Sequence, residues 1–362
     1  FLFVLQAFAR RYHREGNVMN RKSSGRVTIM DVAQEAGVSY STVSRVVNNK
    51  DVVDETTRAR VIQAINELGY VANRQARSLA GGPSQVIGLL VRDLGTGYIG
   101  EIIRGIDDEL AQSQFDLMLY TTHRRRTEEP LYVTMLTQGM ADGLLLVLPR
   151  QPEVYLASLT ERHFPYVLID HQGIAENEPA IAAQNWDGGF KATEYLIGLG
   201  HHRIGFVTGN MKMGCAHDRL NGYCAALEKH GISKNENFIC EGNFFQPDGY
   251  EAGKTLLDLP APPTAIFASN DVMAFGVMEA VRDRGLKIPN DISVVGFDDI
   301  PQAAVVHPPL TTVRQPLEEM GRMAVRSLLT LIEDPHRPAE RVVLPTDLVV
   351  RDSCRSLHHD KA

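Results

Sequence analysis

Val27-Thr-Ile-Met-Asp-Val-Ala-Gln-Glu-Ala-Gly-Val-Ser-Tyr-Ser-Thr-Val-Ser-Arg-Val-Val-Asn48 reads as two short amphipathic helices around a glycine turn. Ile29, Val32, Ala33 and Ala36 recur at steps of three and four, which puts them on one apolar stripe. Thr28 is placed to cap the first helix, and Gly37 follows Ala36 where the chain needs a positive φ that glycine adopts without a Cβ clash. Ser39 occupies the N-cap of the second helix, whose Val43, Val46 and Val47 turn inward. Its outward face is then Tyr40, Ser41, Thr42, Ser44, Arg45 and Asn48. None of these is acidic and all can hydrogen-bond, as a helix lying in a major groove between two phosphate rows requires. A bare three-helix packing unit is the bland alternative.

A third amphipathic helix is predicted from Asp54 to Leu68, with Val61, Ile62, Ile65 and Leu68 inward and Gly69 ending it. After Tyr70, the segment Val71-Ala-Asn-Arg-Gln-Ala-Arg-Ser-Leu-Ala80 is helix-competent, opened by Asn73 and closed by Gly81-Gly82-Pro83. It is too short to hold helical shape alone in water.

Charge is divided along the chain. Residues 1–82 hold 12 Lys+Arg against 7 Asp+Glu, and the remainder 25 against 37, for a net charge of −7. A basic head on an acidic body excludes a general nucleic-acid coat and favours one local DNA contact. The length predicts more than one folding unit, with 44% apolar residues supplying ample core. Four cysteines without Cys-x-x-Cys spacing indicate neither a zinc site nor a disulfide framework, so a reduced cytoplasmic setting is expected. The apolar run Phe1–Phe8 precedes Arg10-Arg11, the reverse of a secretory signal, and is too short to span a bilayer. Met19 opens a conventional basic arm, so residues 1–18 read as an upstream extension.

From Gln85 onward, β-rich runs alternate with helical patterns. The runs are Val86–Val91, Leu117–Tyr120, Gly143–Leu148, Tyr166–Ile169, Ile204–Val207, Ala265–Ala268 and Ser293–Gly296. Between them lie periodic segments at Ile102–Leu110, Gly189–Leu199, Gly222–Lys229 and Val272–Arg284. Such alternation predicts an α/β fold of doubly wound parallel sheets, with seven strands suiting two lobes. Ligands of these sheets sit at the carboxyl ends of strands, which selects Asp93, Asp170, Asn270 with Asp271, and Asp298 with Asp299.

With these features in hand, the chain from about Val27 to Arg355 resembles the lactose repressor family of transcriptional regulators. The phrases that carry the resemblance are the opening stretch, Gly200-His-His-Arg-Ile-Gly-Phe-Val, Arg219-Leu-Asn-Gly-Tyr, Ala268-Ser-Asn-Asp-Val-Met-Ala, Ile292-Ser-Val-Val-Gly-Phe-Asp-Asp299 and Pro309-Leu-Thr-Thr-Val. The resemblance implies an N-terminal extension and arm over 1–26, expected to be disordered, and a helix-turn-helix head over 27–70. It further implies a hinge helix and linker over 71–84, a two-lobed periplasmic-binding-protein-like core over 85–355, and a disordered tail over 356–362. It implies a homodimer on pseudo-palindromic operator DNA, with the hinges of two subunits meeting in the minor groove, where Leu79 wedges between base pairs and Ala76 faces its mate. The family's proline before the hinge asparagine is Ala72 here, which leaves the hinge less pre-stiffened. DNA contacts are expected from Thr28, Ser39, Tyr40, Ser41, Thr42, Ser44, Arg45, Asn48, Asn73, Ala76 and Leu79.

Effector contacts implied in the cleft are Asp93, Tyr98, Asp170, Arg219, Phe244, Asn270 and Asp298. That set suits a neutral sugar: carboxylates and an amide for hydroxyl pairs, a guanidinium fork, and aromatic faces for the C–H side of the ring. The competing readings are a structural salt bridge for Arg219, a turn cap for Asp298, and core packing for one of Phe244 and Phe245. Arg92 answers either an acidic group on the effector or Asp93. His201 and His202 lack further ligands and read as a turn; Arg124-Arg-Arg126 reads as a solvated loop. No metal or cofactor is expected, nor a membrane partner, and no catalytic constellation is assembled. The expected function is a repressor controlled by a sugar. A purine or nucleoside corepressor is the rival within the family, and a sugar transport component or a sugar-active enzyme the rivals outside it.

Overall fold

The computed structural model describes residues 27–47, 52–70, 83–95, 97–123, 127–171, 178–338 and 340–358. The chain divides into two compact units, Phe1–Ala76 and Arg77–Ala362.

In the first unit, helix α1 (Ile29–Ala36) starts in a reciprocal capping box: the Asp31 amide donates to the Thr28 hydroxyl and the Thr28 amide to the Asp31 carboxylate. It ends on Gly37 at φ 62°. Helix α2 (Tyr40–Val47) follows, with the Thr42 amide donating to the Ser39 hydroxyl at 3.2 Å. Helix α3 (Glu55–Leu68) is capped by Asp54 and closed by Gly69 in the left-handed region. Val32, Ala33, Ala36, Val43, Val46, Val61 and Ala64 form the core of this small unit, with Val38, Ile65 and Leu68 packed on its edge. Ile62 departs from expectation, being 46% exposed. On a 3.6-residue period Val61, Ala64, Ile65 and Leu68 share one face, and Ile62 lies a quarter-turn off it. The hinge positions Asn73, Ala76 and Leu79, together with Asn48, Arg124–Arg126 and the N-terminal extension, lie outside the described residues.

Near the start of the described part of the second unit, the Ser84 and Gln85 amides donate to the Asp142 carboxylate. Its first lobe runs through β1 (Val86–Val91), α4 (Gly97–Leu110), β2 (Asp116–Thr121), α5 (Glu129–Thr137), β3 (Gly143–Val147), α6 (Leu156–Glu161), β4 (Tyr166–Ile169) and β5 (Ala180–Ala183). The chain then crosses into a second lobe: α7 (Asn185–Gly198), β6 (Ile204–Val207), α8 (Gly214–Lys229), β7 (Ile239–Cys240), α9 (Gln246–Leu257), β8 (Ala265–Ala268), α10 (Asp271–Asp283), β9 (Ser293–Asp298) and β10 (Thr311–Arg314). It returns to the first lobe with α11 (Leu317–Glu333) and β11 (Arg341–Leu344), then crosses once more to end on β12 (Asp347–Val349). The strand orders are β11-β5-β4-β3-β1-β2 and β12-β10-β9-β8-β6-β7, parallel throughout except for β12 against β10.

Both sheets are covered on their two faces, so their central strands are apolar without alternation. The seven anticipated strands are present and five more complete the sheets. Those five escape a hydrophobic reading because β5 is Ala-Ile-Ala-Ala, β7 has two residues, β10 is led by threonines, and β11 and β12 are short edge strands. Leu148, expected to end β3, lies beyond it at φ 47°. Residues 356–358 are docked rather than loose, the Leu357 amide donating to the Leu199 carbonyl at 2.8 Å.

Helices α7 and α8 touch through facing glycines. A Cβ on Gly189 would lie 2.4 Å from the Arg219 carbonyl oxygen, and one on Gly222 2.2 Å from the Trp186 carbonyl oxygen. Only two bare backbones approach this closely. Gly222→Ala therefore has to separate the helices, and we expect a loss of about 1–3 kcal/mol of stability in urea unfolding; an unchanged midpoint would mean the contact relaxes freely.

Candidate functional site

A cleft between the two lobes is lined at almost every point by residues that follow a strand. After β1 come Arg92 and Asp93, after β3 Leu148 and Arg150, after β4 Asp170; across the cleft stand Asn210 after β6, Asn243 to Phe245 after β7, Asn270 after β8, and Asp298 at the end of β9. Helices α4 and α8 add Tyr98 and Arg219. Parallel sheets concentrate sites here because their strands all point the same way.

Four of the seven described non-glycine residues with positive φ line this cleft: Leu148, Asp170, Phe244 (69°) and Asp298 (114°). Such backbone is unfavourable for side-chain-bearing residues and persists where its surroundings impose it.

At the centre is Arg219, 2% exposed. Its Nε donates to Asn185 Oδ1 at 2.8 Å and its Nη1 to the Ser269 carbonyl, while Asp298 Oδ1 lies 3.5 Å from Nη1. The guanidinium sits 3.8 Å from the ring centre of Phe297, a cation–π contact in a desolvated setting. Its Nη2 has no partner among the described residues, which leaves one edge of the fork for a ligand. The network continues on both sides. Gln315 Nε2 donates to Asp298 Oδ1 at 2.7 Å, Tyr98 Oη donates to Asp170 Oδ2 at 2.7 Å, and Asn185 Nδ2 reaches Asp170 Oδ1 at 3.5 Å. The expected salt-bridge role of Arg219 and its place in the cleft are thus both present.

Electrostatically, one guanidinium answers two buried carboxylates. Burial pushes Asp298 up to about 7, with Arg219 and the Gln315 bond only partly opposing it. Burial likewise raises Asp170, against the pull of Arg219 and Tyr98. Arg219 itself stays firmly charged: burial works against its charge, but Asp298, Cys215 and Asp170 outweigh it.

The remaining expected residues divide. Asn270 lines the cleft, but its amide is already bonded: Oδ1 caps α10 at the Met273 amide and Nδ2 donates to the Phe244 carbonyl. Asp93 accepts from the Gly95 amide and keeps its place on the cleft wall. Phe244 is half-buried over Gly209, whose hydrogen makes room for the ring, and Phe245 is the exposed one of the pair. Asp271 and Asp299 turn away from the cleft. Asp271 is buried beneath the Ile300 amide and the Thr312 hydroxyl, and Asp299 pairs with Arg314 and Arg351. Arg92 does not pair with Asp93; it donates to the Leu148 and Pro149 carbonyls. His201 is a buried anchor between Thr264 and Arg355, held neutral by burial that lowers it to about 4.

Sequence reasoning missed Asn185, Gln315 and Arg150. The first two occupy the crossings between lobes, which only the sheet topology reveals. In the other unit, Thr28, Ser39, Tyr40, Ser41 and Arg45 are exposed, and Thr42 and Ser44 are half-buried. No helix among the described residues is long and apolar enough to cross a membrane.

Residues 28–73 match bacterial regulatory proteins of the lacI family, and residues 193–354 match the periplasmic binding protein-like domain. The HTH-type transcriptional repressor CytR of Escherichia coli K12 is 35% identical over 339 residues, covering 93% of this chain and 99% of that protein. The structure of the regulator CelR in complex with cellobiose is 34% identical, TM-score 0.71, covering 91% of this chain and all of that one. A lac repressor dimer bound to operator and the anti-inducer ONPF is 31% identical, TM-score 0.81, covering 92% and 100%.

The carboxylates make stability pH-dependent with a definite sign. Because the folded Asp298 holds its proton to about pH 7 and an ordinary aspartate only to 3.8, its contribution is full below the lower value and declines until the upper one. Urea unfolding at constant ionic strength should show stability falling between these values, and Asp298→Asn should flatten that fall. Identical slopes in the two proteins would place the proton elsewhere.

Proposed function

The chain belongs to the lacI family of bacterial regulatory proteins, and from that membership we propose how its own residues perform the regulation. It is a DNA-binding transcriptional repressor. Helix α2 enters the operator's major groove with Tyr40, Ser41 and Arg45 toward base edges, while Thr28, Ser39, Thr42, Ser44 and Asn48 fix the backbone register. Asn73, Ala76 and Leu79 form the hinge contact in the minor groove of a dimer. The relative solved as a dimer on operator supports this geometry by likeness.

The effector is a sugar or glycoside held in the cleft, and the observation that carries this reading is the half-open fork of Arg219. A buried guanidinium with Nε and Nη1 fixed by Asn185 and Ser269, and Asp298 Oδ1 3.5 Å from Nη1, leaves Nη2 without a partner among the described residues, a donor–acceptor pattern matched to vicinal hydroxyls. Phe244 and Phe245 cover the ring. Cellobiose, bound by one solved relative, belongs to the same chemical class. Regulation follows from linkage: an effector that prefers one lobe arrangement changes operator affinity by the factor that operator changes effector affinity.

Two experiments test this. Selection from random DNA yields the operator; Arg45→Ala should then weaken binding by about 1–3 kcal/mol and relax preference at one base pair per half-site. A uniform loss with an unchanged motif would make Arg45 a phosphate clamp. Calorimetry with mono- and disaccharides, with purines and nucleosides as the competing arm, identifies the effector class. Arg219→Lys keeps the charge but loses the planar fork, so affinity should fall at least about tenfold, with operator binding in the absence of effector unchanged. Undiminished affinity would return Arg219 to a purely structural role.

A further inference from the structure

The cleft does not end at Arg219. It continues outward into a second cavity that shares Arg92, Arg150, Asp170 and Met213 with the first and adds His171 and Lys212. This outer end is built differently from the inner one. Helix α8 begins there with sixteen residues and no side-chain cap on its first turn, and the Gly214 and Cys215 amides, both in segments that line the cavity, have no acceptor among the described residues. Free amides at the positive end of a helix form an anion site when other donors converge on them.

Other donors do converge. Arg92 is anchored through Nε and Nη2 to backbone carbonyls, so its Nη1 is fixed in place, and its contact there is the weakly accepting Met213 sulfur at 3.3 Å. Lys212 is exposed, and its Nζ has no partner among the described residues. His171 Nε2 is sealed from bulk solvent without a partner among the described residues. Burial and Arg92 both hold this imidazole below its usual pKa, and burial together with Arg150 lowers Arg92. Opposing charge comes from Glu153 at the rim, from Asp170, and from Glu129 behind the wall. The Glu129 carboxylate is already taken up by the Arg150 and Gln151 amides and the Tyr155 hydroxyl. A neutral sugar has no use for the charges of Arg92 and Lys212; an oxyanion supplies the strong acceptor that Arg92 Nη1, Lys212 Nζ and the Gly214 and Cys215 amides lack among the described residues.

We infer that the outer end of the cleft binds a phosphate group carried by the effector, so that the ligand is a phosphorylated sugar with its ring at Arg219 and its phosphate at Arg92, Lys212 and the start of α8. The inference rests on the cleft being the effector site.

Inorganic phosphate is the first probe, compared with chloride at matched ionic strength on the full chain. Phosphate should raise the unfolding midpoint of the wild type, and Arg92→Gln and Lys212→Gln should each lose most of the rise. Lys212 is exposed, so its variant reads binding without a folding defect. A rise equal in chloride, or retained in both variants as binding to the basic head would be, overturns the proposal. The second arm pairs glucose with glucose 6-phosphate and ribose with ribose 5-phosphate. The phosphorylated member of a pair should bind at least about tenfold tighter, and the gap should close in Lys212→Gln. Equal binding within the pairs overturns the phosphate site while leaving the sugar cleft standing. Arg219→Lys should abolish the contribution of the ring and spare the inorganic phosphate response, so the two readings fail separately.

Discussion

A guanidinium buried to 2% exposure is the constraint from which the cleft follows. Removing such a charge from water is costly unless hydrogen bonds and counter-charges replace its hydration, and the partners of Arg219 come from far apart in sequence. Asn185 stands at the first crossing between lobes, the Ser269 carbonyl at the end of β8, Asp298 at the end of β9. Each must be in register for the charge to be tolerated. The glycine contact between α7 and α8 serves the same end, since Asn185 opens the one helix and Arg219 sits in the other.

That arrangement ties the proposed ligand site to the segments that join the two lobes. Asn185 and Gln315 occupy two of the chain's crossings between lobes, and both bond to the carboxylates flanking Arg219. On the proposed function, a ligand that takes up Nη2 and the remaining carboxylate oxygens acts directly on the segments that join the two lobes. Because burial raises both Asp298 and Asp170 against the pull of the one guanidinium they share, the free site retains a proton toward neutral pH, and a ligand donating hydroxyls can replace it. The site is polar, incompletely satisfied and backed by strained backbone, which is how a structure that must respond to a small molecule differs from one that must only persist.

How much of this was legible in the sequence depended on the kind of signal. The head was legible to the residue at most of its caps, since Thr28, Gly37, Ser39 and Gly69 each do locally what their chemistry dictates, while Asp54, expected to open the third helix, is instead its cap. Ile62 misled because a short helix offers a broad apolar arc and only tertiary packing chooses within it. The sheets were legible where burial on both faces produced a continuous apolar run, and illegible where a strand was alanine-rich, threonine-rich or two residues long. Strand ends located Asp93, Asp170, Asn270 and Asp298, yet the pattern gave no means of separating Asn270, whose amide is bonded within the fold, from its neighbours. The crossings, with Asn185 and Gln315, and the open first turn of α8 were not legible at all. Each depends on which lobe a segment joins, a fact held in three-dimensional topology rather than in any window of sequence.

On the proposed function, occupation of this cleft and occupation of the operator are one coupled equilibrium. Its most direct test is a closed thermodynamic square on the full chain, with the strongest-binding compound of a sugar and sugar-phosphate panel. Operator affinity is measured without and with saturating compound, and compound affinity without and with saturating operator. The two ratios should differ from one and equal each other. An operator affinity indifferent to a fully occupied cleft would contradict it.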